Sequence, residues 1–316
     1  AGQLVLNMGT QNVLMLKRNL TGQADDVLGE VKVGNGASDM VISPEGDRAY
    51  VWNRFDASVT EFELPVVSHA LKTQSKFVPA GTEVVEAEFR EIPEFAGDTF
   101  TVVEDAFEPQ ASLGRKMFHS ALDGRISSSH NISCASCHPD GRSDNNVWQF
   151  TFGPRNTPQL GGGILDTAPF HWPGDVEDVR ALNSMTVLAF MGGTGVDNAS
   201  MDAIGAFIDT IPAAPAPNTL QEELTESQLR GKGIFESAET ECTNCHFGNH
   251  LTDNTSWNVG TQAHANDIVE FQTPVLHGLA RTAPYMHSGE ANTLRDLVDL
   301  LVATDKMGKG SHLTSA

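Results

Sequence analysis

Two copies of the sequence Cys-x-x-Cys-His constrain this chain more than any other feature. One copy is CASCH at residues 134–138, the other is CTNCH at residues 242–246, and together they contain all four cysteines. In this pattern each cysteine can form a thioether with a haem vinyl group, and the histidine becomes the proximal iron ligand. The sequence therefore predicts two covalently attached haem c groups. The predicted haem-binding residues are Cys134, Cys137, His138, Cys242, Cys245 and His246.

Other uses of paired cysteines fit this pattern less well. A zinc ribbon also has two Cys-x-x-Cys pairs, but they usually lie about 15–20 residues apart, whereas residues 138–241 separate the two pairs here. A thioredoxin-like redox pair needs neither a second copy nor a following histidine, and structural disulfides would not favour two identical spacings. Because haem is attached to such motifs outside the cytoplasm, the sequence predicts a periplasmic or extracellular location.

The chain is long enough for two or three domains and is strongly acidic. Its 316 residues have a formal net charge of −21, which makes nucleic acids and anionic membranes unfavourable partners. A basic electron-transfer partner or a high-salt habitat suits this charge, although solubility alone also explains acidic proteins.

The sequence contains no apolar run of about 18 residues, so no membrane span is predicted. No signal peptide is visible, which indicates a mature or trimmed form.

Residues 1–64 are predicted to form β-structure. Short β-rich runs such as LVLNM, NVLML and AYVWN are separated by Gly, Asn and Asp turns, as expected for short strands. The stretch VGNGASDMVISPEGDRAYVWNRFDASVTEFEL resembles a blade of the YVTN family of β-propellers. A closed propeller needs at least about four blades, so either an upstream part is missing or these strands dock onto the haem domains. Residues 65–106 are mixed and acidic, and we assign them as a connecting segment.

From residue 107 onwards the pattern is typical of duplicated cytochrome c domains. A helical stretch, a loop and a haem motif occur twice, with LGRKMF in the first copy and LRGKGIF in the second. The segment IPAAPAPNT at 211–219 is a stiff Pro/Ala linker and marks a boundary. The predicted fold is mainly α, with two tandem cytochrome c-like domains at 107–215 and 216–316 after the short all-β segment.

Three further patterns indicate helices. MDAIGAFIDTI is amphipathic, with Ile204 and Phe207 on one face. Thr225 followed by Gln228 is a capping-box start, and Thr293 is placed to cap the apolar stripe in LRDLVDLL. The chain stops at SHLTSA, where another helix could start, so a C-terminal truncation is also consistent with the sequence.

Four motifs occur in an order that is typical of one family. They are LGRKMFHSALDGRISSSHNISCASCHPDGRSD, GPRNTPQL, APFHWPGD and TPVLHGLARTAPYMHSGEANTLRDLV. Together they resemble the bacterial di-haem cytochrome c peroxidase and MauG superfamily over residues 107–313. The resemblance implies that the first haem reacts with hydrogen peroxide and that the second is six-coordinate and passes electrons. It also implies a tryptophan between the haems and a calcium ion at the domain interface.

The resemblance assigns roles to further residues of this chain. Trp172 of FHWPGD matches the intervening tryptophan, and Asn156 of GPRN matches a calcium ligand. Thr282 and Pro284 match calcium ligands that act through backbone carbonyls, which suit a cation that prefers oxygen. Arg155 is expected to hold a haem propionate, because a guanidinium binds a carboxylate bidentately. The alternatives are a core aromatic for Trp172, a turn residue for Asn156 and a surface ion pair for Arg155.

The chain departs from the family on the distal side of the first haem. The peroxidases have an inhibitory histidine shortly before GPRN, whereas Asn146 or Trp148 stands near that position here, which predicts an open coordination site. The positions of the distal Glu and Gln are matched by Phe190 and Leu182, which cannot move a proton between peroxide oxygens. His171 is the predicted substitute as distal base or ligand, with a structural histidine as the alternative.

The chain also departs from the family at the second haem. The usual Met or Tyr ligand position is matched by Leu301, which cannot bind iron. Met307 in DKMGKGSHL, just past the helix, is the predicted sixth ligand. A thioether ligand raises the haem potential, which suits an electron-transfer haem. A loop methionine and ligation by His312 are the alternatives. The only tyrosines, Tyr50 and Tyr285, do not fit a His–Tyr haem.

These patterns predict a di-haem c-type oxidoreductase of the peroxidase/MauG type, with Trp172 and His171 as its catalytic residues. The expected partners are hydrogen peroxide and either a small redox protein, such as a cytochrome c or cupredoxin, or a protein substrate. A homodimer is also compatible with the sequence. The alternative is a non-catalytic di-haem electron-transfer or scaffold subunit of a larger extracytoplasmic assembly. The apolar Glu and Gln positions favour the subunit, whereas the missing distal histidine favours the enzyme.

Overall fold

The chain forms two compact units, Ala1–Ala106 and Phe107–Ala316, in a computed structural model. The structure describes residues 2–17, 26–64, 94–95, 97–216, 223–265 and 267–313. Helices account for 26% of these residues and strands for 21%, so the prediction of a mainly α fold is wrong. The strands come from the first unit and from short hairpins beside the haem motifs. Gly- and Asn-rich connections there favour turns over long helices.

The described residues of the first unit form two four-stranded sheets, in the orders β1-β2-β3-β7 and β4-β5-β6-β8. The strands are β1 Gly2–Asn7, β2 Asn12–Lys17, β3 Asp26–Lys32, β4 Ala37–Ile42, β5 Arg48–Asn53, β6 Ser58–Glu63, β7 Glu94–Phe95 and β8 Asp98–Thr101. Alternate residues of β5 and β6 are buried, which places Val51 and Phe62 in the core. The strands predicted from LVLNM, NVLML and AYVWN are confirmed, and residues 65–93 lie outside the described residues.

The described residues of the second unit form five α-helices and two short hairpins, besides short 3₁₀ and π-helical segments. The helices are α1 Pro109–His119, α2 Cys134–Cys137, α3 Asn198–Asp209, α4 Glu226–Phe235 and α5 Leu294–Thr304. The hairpins pair β9 Val147–Phe150 with β10 Gly153–Asn156, and β11 Ser256–Trp257 with β12 Phe271–Gln272. Among the described residues, none of the helices has the length and apolar character needed to cross a membrane.

The predicted helix signals in this unit are confirmed. The Thr225 side chain accepts a hydrogen bond from the backbone N–H of Gln228, and Thr293 does the same for Asp296. These bonds satisfy backbone donors that have no partner within the first turn of a helix. The boundaries assigned at 64/65, 106/107 and 215/216 remain predictions, and residues 217–222 of the linker region lie outside the described residues.

Helices α1 and α3 pack closely and form the core of the first cytochrome-like half. Gly114 of α1 lies against the backbone carbonyl of Ala203 in α3, where a Cβ atom would collide with it. The rings of Phe118 and Phe207 meet edge to face with centroids 5.2 Å apart. The buried cluster comprises Met117, Phe118, Ile126, Val196, Met201, Ile204, Phe207, Ile208 and Ile211.

The second half has no comparable cluster among its described residues. Helices α4 and α5 contain no buried residue. Leu229, Ile234 and Val298 are 55%, 44% and 49% exposed. Apolar side chains that other protein side chains do not cover can pack against a large apolar group. A large apolar group bound to the second half would cover these side chains.

Candidate haem sites and the residues between them

The first Cys-x-x-Cys-His motif forms one turn of helix that ends at the histidine. The His138 backbone N–H donates to the Cys134 carbonyl at 2.9 Å. Cys134 and Cys137 are free thiols rather than a disulfide. Burial lowers the pKa of His138 to about 4, although the charge of Asp144 opposes this shift. The imidazole is therefore neutral at physiological pH, which is the form that binds a metal.

The second motif has the same backbone closure. The His246 backbone N–H donates to the Cys242 carbonyl at 3.0 Å, and Cys242 and Cys245 are free thiols. His246 Nδ1 lies 2.9 Å from the Leu251 carbonyl oxygen, so Nδ1 carries the proton and Nε2 is the nitrogen left to bind iron. Burial also lowers the pKa of His246. The thiols and neutral imidazoles of both motifs fit covalently attached haem.

The loop after α5 lies against the second motif. The Lys309 backbone N–H donates to the Thr240 carbonyl at 2.9 Å, and its Nζ donates to Glu241 at 2.6 Å. A Cβ on Gly308 would approach both the Thr240 carbonyl and the Cys242 sulfur. Met307 immediately precedes this glycine, so the structure brings its loop to the second motif. Ligation of iron by Met307 stays a prediction.

Two residues bear on the alternatives for that ligand. Leu301 lies in the last turns of α5, where its backbone carbonyl accepts a hydrogen bond from the Asp305 backbone N–H. His312 lines a cavity of about 370 Å³ beside α4, together with Ile234 and Thr240. This places His312 near the second motif as well, so it remains the rival of Met307.

Trp172 lies where the two halves of the second unit meet. Its indole Nε1 donates to the Asn156 carbonyl at 2.8 Å, and its own carbonyl accepts the Gln272 N–H at 2.7 Å. Its ring meets that of His287 edge to face, with centroids 6.2 Å apart. Asn156 belongs to the half with the first haem motif, whereas Gln272 and His287 belong to the half with the second motif. Trp172 is thus held in one orientation between them.

A buried ion pair lies beside this tryptophan. Arg155 Nη2 donates to Asp267 Oδ1 at 2.8 Å, with the two side chains 7% and 0% exposed. His287 Nε2 lies 3.0 Å from the other oxygen of Asp267 and its ring stacks on Phe271 at 3.8 Å. Arg155 is therefore part of an internal pair rather than the surface pair considered from the sequence. A propionate role for Arg155 stays a prediction.

Asp267 is the residue of this cluster that the sequence pattern did not reveal. Burial alone would raise the pKa of its carboxyl group, but hydrogen bonds from the backbone of Ala263, from Arg155 and from His287 hold that pKa at about 2. It is an ordinary aspartate in a loop, without a motif around it. Its role depends on the approach of Arg155, which is distant in sequence.

Two of the three predicted calcium-binding residues come together. Asn156 Nδ2 donates to the Pro284 carbonyl, while Asn156 Oδ1 is buried and has no hydrogen-bond partner. Thr282 precedes Pro284 in the same loop, and its hydroxyl donates to the Leu279 carbonyl at 3.3 Å. Reversing the Asn156 amide would turn two oxygens towards each other, an arrangement that a cation between them would stabilise.

His171 lies beside a cluster of aromatic rings. The Phe190 ring lies 5.0 Å from Phe150, 5.9 Å from Phe152 and 6.1 Å from His171, measured between centroids. His171 Nε2 is 3.1 Å from the Thr186 hydroxyl, and Nδ1 is 3.3 Å from Asp175. Burial lowers the pKa of His171 against the effect of Asp175. Both ring nitrogens have protein partners, an arrangement that suits a base better than an iron ligand.

Comparison with known proteins finds similarity to di-haem proteins. Residues 108–225 match the family described as di-haem cytochrome c peroxidase. Cytochrome c551 peroxidase of Pseudomonas aeruginosa is 26% identical, over 61% of this chain and 72% of that protein. The methylamine utilization protein MauG of Methylorubrum extorquens is also 26% identical, over 60% of this chain and 67% of that protein.

A third similarity extends over more of the chain. Hydrazine synthase subunit gamma of Kuenenia stuttgartiensis is 26% identical, over 79% of this chain and 84% of that protein. A solved structure of hydrazine synthase from the same organism is similar in fold, with a TM-score of 0.54 at 22% identity, over 67% of this chain and 85% of that one. Together with the two haem motifs, the sequence matches support a relation to the di-haem cytochrome c peroxidase and MauG superfamily, a family that implies covalently bound haem c.

Proposed function

We propose that this protein is a periplasmic or extracellular di-haem oxidoreductase. It reacts with hydrogen peroxide or a related oxidant at the haem on His138. It exchanges electrons with a small cytochrome c or cupredoxin, or with a protein substrate, through the haem on His246. The observation that supports this most strongly is the position of Trp172, held between the two haem-motif halves by residues of both.

The chain's own residues divide the chemistry between the two sites. Bound haem supplies an iron that changes oxidation state and that can take a small ligand. His138 presents a neutral imidazole at the first site. His171 is suited to accept a proton there, because burial lowers its pKa and leaves the ring neutral, while Asp175 lies beside the charged form and Thr186 orients the ring. The rings of Phe150, Phe152 and Phe190 make that side apolar.

At the second site the proposed ligands favour electron transfer. His246 is oriented by Leu251, and Met307 supplies a thioether, which raises the haem potential. Trp172 provides an oxidisable aromatic group between the two sites. Its N–H is bonded to the neutral carbonyl of Asn156, so the indole is positioned without a base that would remove its proton.

We further propose a calcium ion bound by Asn156 and by the carbonyls of Thr282 and Pro284. The buried Asn156 Oδ1 without a partner supports this site. Calcium takes about six to eight oxygen ligands, so waters would complete the shell. Metal analysis of the purified protein is expected to find calcium, and Asn156→Ala is expected to lose it while both haems remain. Calcium retained in that variant would place the ion elsewhere.

Optical and EPR spectra of the purified protein test the main proposal. One high-spin and one low-spin haem are expected, and peroxide is expected to change the high-spin signal. Met307→Leu removes the sulfur at similar volume and should convert the low-spin haem to high spin, whereas Met40→Leu in β4 should leave both signals unchanged. Two low-spin haems that do not respond to peroxide would contradict the enzyme.

A non-catalytic electron-transfer or scaffold subunit is the second candidate. The match to a protein named as a synthase subunit covers 79% of this chain, against 61% for the peroxidase match. Phe190 and Leu182 at the expected distal polar positions also favour it. This candidate predicts two six-coordinate low-spin irons, so the same spectra decide between the two.

A further inference from the structure

One aspartate ties together both ends of the loop that follows α5. Asp305 Oδ1 accepts the backbone N–H groups of Gly310 and Ser311, both at 2.7 Å, and Asp305 Oδ2 accepts the Ser311 hydroxyl at 2.5 Å. The Asp305 backbone N–H donates to the Leu301 carbonyl at the end of the helix. Residues 305–311, here called the Asp305 loop, are therefore closed into a ring by a single carboxylate.

The backbone of the Asp305 loop has a conformation that few side chains adopt. Asp305 and Met307 have φ angles of 50° and 59°, in the left-handed region that residues other than glycine seldom occupy. Gly308 has a φ angle of 140°, where any side chain would be strained. Such a backbone persists only where surrounding contacts hold it. The three hydrogen bonds accepted by Asp305 are contacts of this kind.

The tip of the Asp305 loop lies against the start of the second haem motif. The Lys309 backbone N–H donates to the Thr240 carbonyl at 2.9 Å. A Cβ atom on Gly308 would lie 2.9 Å from that carbonyl oxygen and 3.9 Å from the Cys242 sulfur. Because neighbouring Cα atoms are about 3.8 Å apart, the backbone of Met307 is one residue away from this contact with the motif.

The ring contains one of the two candidate iron ligands and excludes the other. Met307 lies between the two ends that Asp305 joins, whereas His312 follows Ser311 and is outside the ring. Gly310, at the closed end, is buried, and a Cβ atom there would lie about 3 Å from the backbone of α5. The closed end thus has little room to shift, and the contacts of the loop hold Met307 rather than His312.

We propose that Asp305 is a positioning residue that holds Met307 in place as the sixth ligand of the second haem and favours it over His312. Asp305 acts through the loop backbone. Its hydrogen bonds order the loop in advance, so less conformational freedom is lost when the sulfur meets the iron. The inference rests on the ligation by Met307 that is part of the proposed function, and it is independent of the reaction with peroxide at the first haem.

Carbon monoxide binding to the reduced, haem-loaded protein tests this role. Carbon monoxide can take the sixth position of the second iron only after the ligand there has left, so the slow phase of binding reports how firmly the loop holds that ligand. Asp305→Ala removes hydrogen bonds to a charged acceptor, each of which changes an equilibrium about tenfold or more. We expect it to speed the slow phase at least about tenfold. The far-red charge-transfer band of methionine-ligated ferric haem should weaken in the same variant.

Two further variants separate these bonds from other effects. Asp305→Asn keeps an oxygen acceptor for the N–H groups of Gly310 and Ser311, so its band and its rate should stay close to those of the wild type. Asp299→Ala removes an exposed carboxylate from α5 that pairs with Arg295, and it should change neither. A purely structural aspartate would lower the denaturation midpoint in Asp305→Ala without moving the band or the rate.

The ligand and the loop fail in different ways. If Met307→Leu abolishes the band while Asp305→Ala leaves band and rate unchanged, the ligand stands and the positioning role is overturned. A band that is absent from the wild type, or that survives in Met307→Leu, would reject Met307 as ligand and the role of Asp305 with it. A bis-histidine spectrum in Asp305→Ala would support the role, because His312 would then have replaced Met307.

Discussion

Loss of the second haem is expected to unfold much of residues 223–313, whereas loss of the first should leave α1 and α3 packed. Cys242→Ala with Cys245→Ala removes the thioethers of the second site, and Cys134→Ala with Cys137→Ala removes those of the first. Hydrogen exchange measured by mass spectrometry is expected to show lost protection in α4 and α5 for the first variant. The second variant should retain protection in α1 and α3.

The asymmetry follows from where each half has its apolar interior. The α1–α3 cluster contains nine buried side chains, and each fully buried large apolar side chain contributes about 1.5–3 kcal/mol. Helices α4 and α5 contain no buried side chain, so a haem packed on them would account for most of their burial. Covalent haem counted per chain confirms which site is lost. Equal loss of protection in both halves of both variants would contradict this explanation.

Asp267→Asn is expected to be the most destabilising single conservative change in the second unit. It leaves the Arg155 guanidinium buried without a charged partner, and breaking such a buried pair costs about 3–5 kcal/mol. Denaturant unfolding of the haem-loaded protein measures the loss. Asp202→Asn is the matched control, because its partner Arg180 and Asp202 itself are at the surface, where a lost pair has little effect.

A compensating variant separates the charge from the packing. Arg155→Met with Asp267→Leu removes both charges and retains apolar volume, and it should recover much of the stability. Recovery would show that the unpaired guanidinium causes the loss. If Asp267→Asn and Asp202→Asn behave alike, the buried pair is not the source of stability.

The same carboxylate gives a pH dependence with a definite sign. The pKa of Asp267 is about 2 in the folded protein, below its ordinary value of 3.8. Its contribution to the free energy of unfolding is therefore complete above about pH 4. The contribution is lost as the pH falls towards the folded-state pKa. Denaturation midpoints from neutral to acidic pH should fall in this window for the wild type and less steeply for Asp267→Asn.

Predictions from local patterns were the ones that the structure confirmed. The caps at Thr225 and Thr293 and the amphipathic spacing in α3 depend on residues within one or two helical turns. The mainly α prediction was wrong because it took residues 107–316 as predominantly helical. Gly- and Asn-rich connections between those helices form turns and hairpins, and the described residues of the first unit add eight strands.

The two haem motifs could be predicted from the sequence, because one helical turn brings together ligands that are spaced within five residues. The tertiary structure was needed to show that Arg155 meets Asp267, that Asn156 meets Pro284 and that Trp172 lies against His287. These partners are more than about a hundred residues apart, so no local pattern specifies them. Their contacts form only when the two cytochrome-like halves pack. Once these polar groups are buried, leaving one without a hydrogen-bond partner would lower the stability of the fold, which favours the observed pairs.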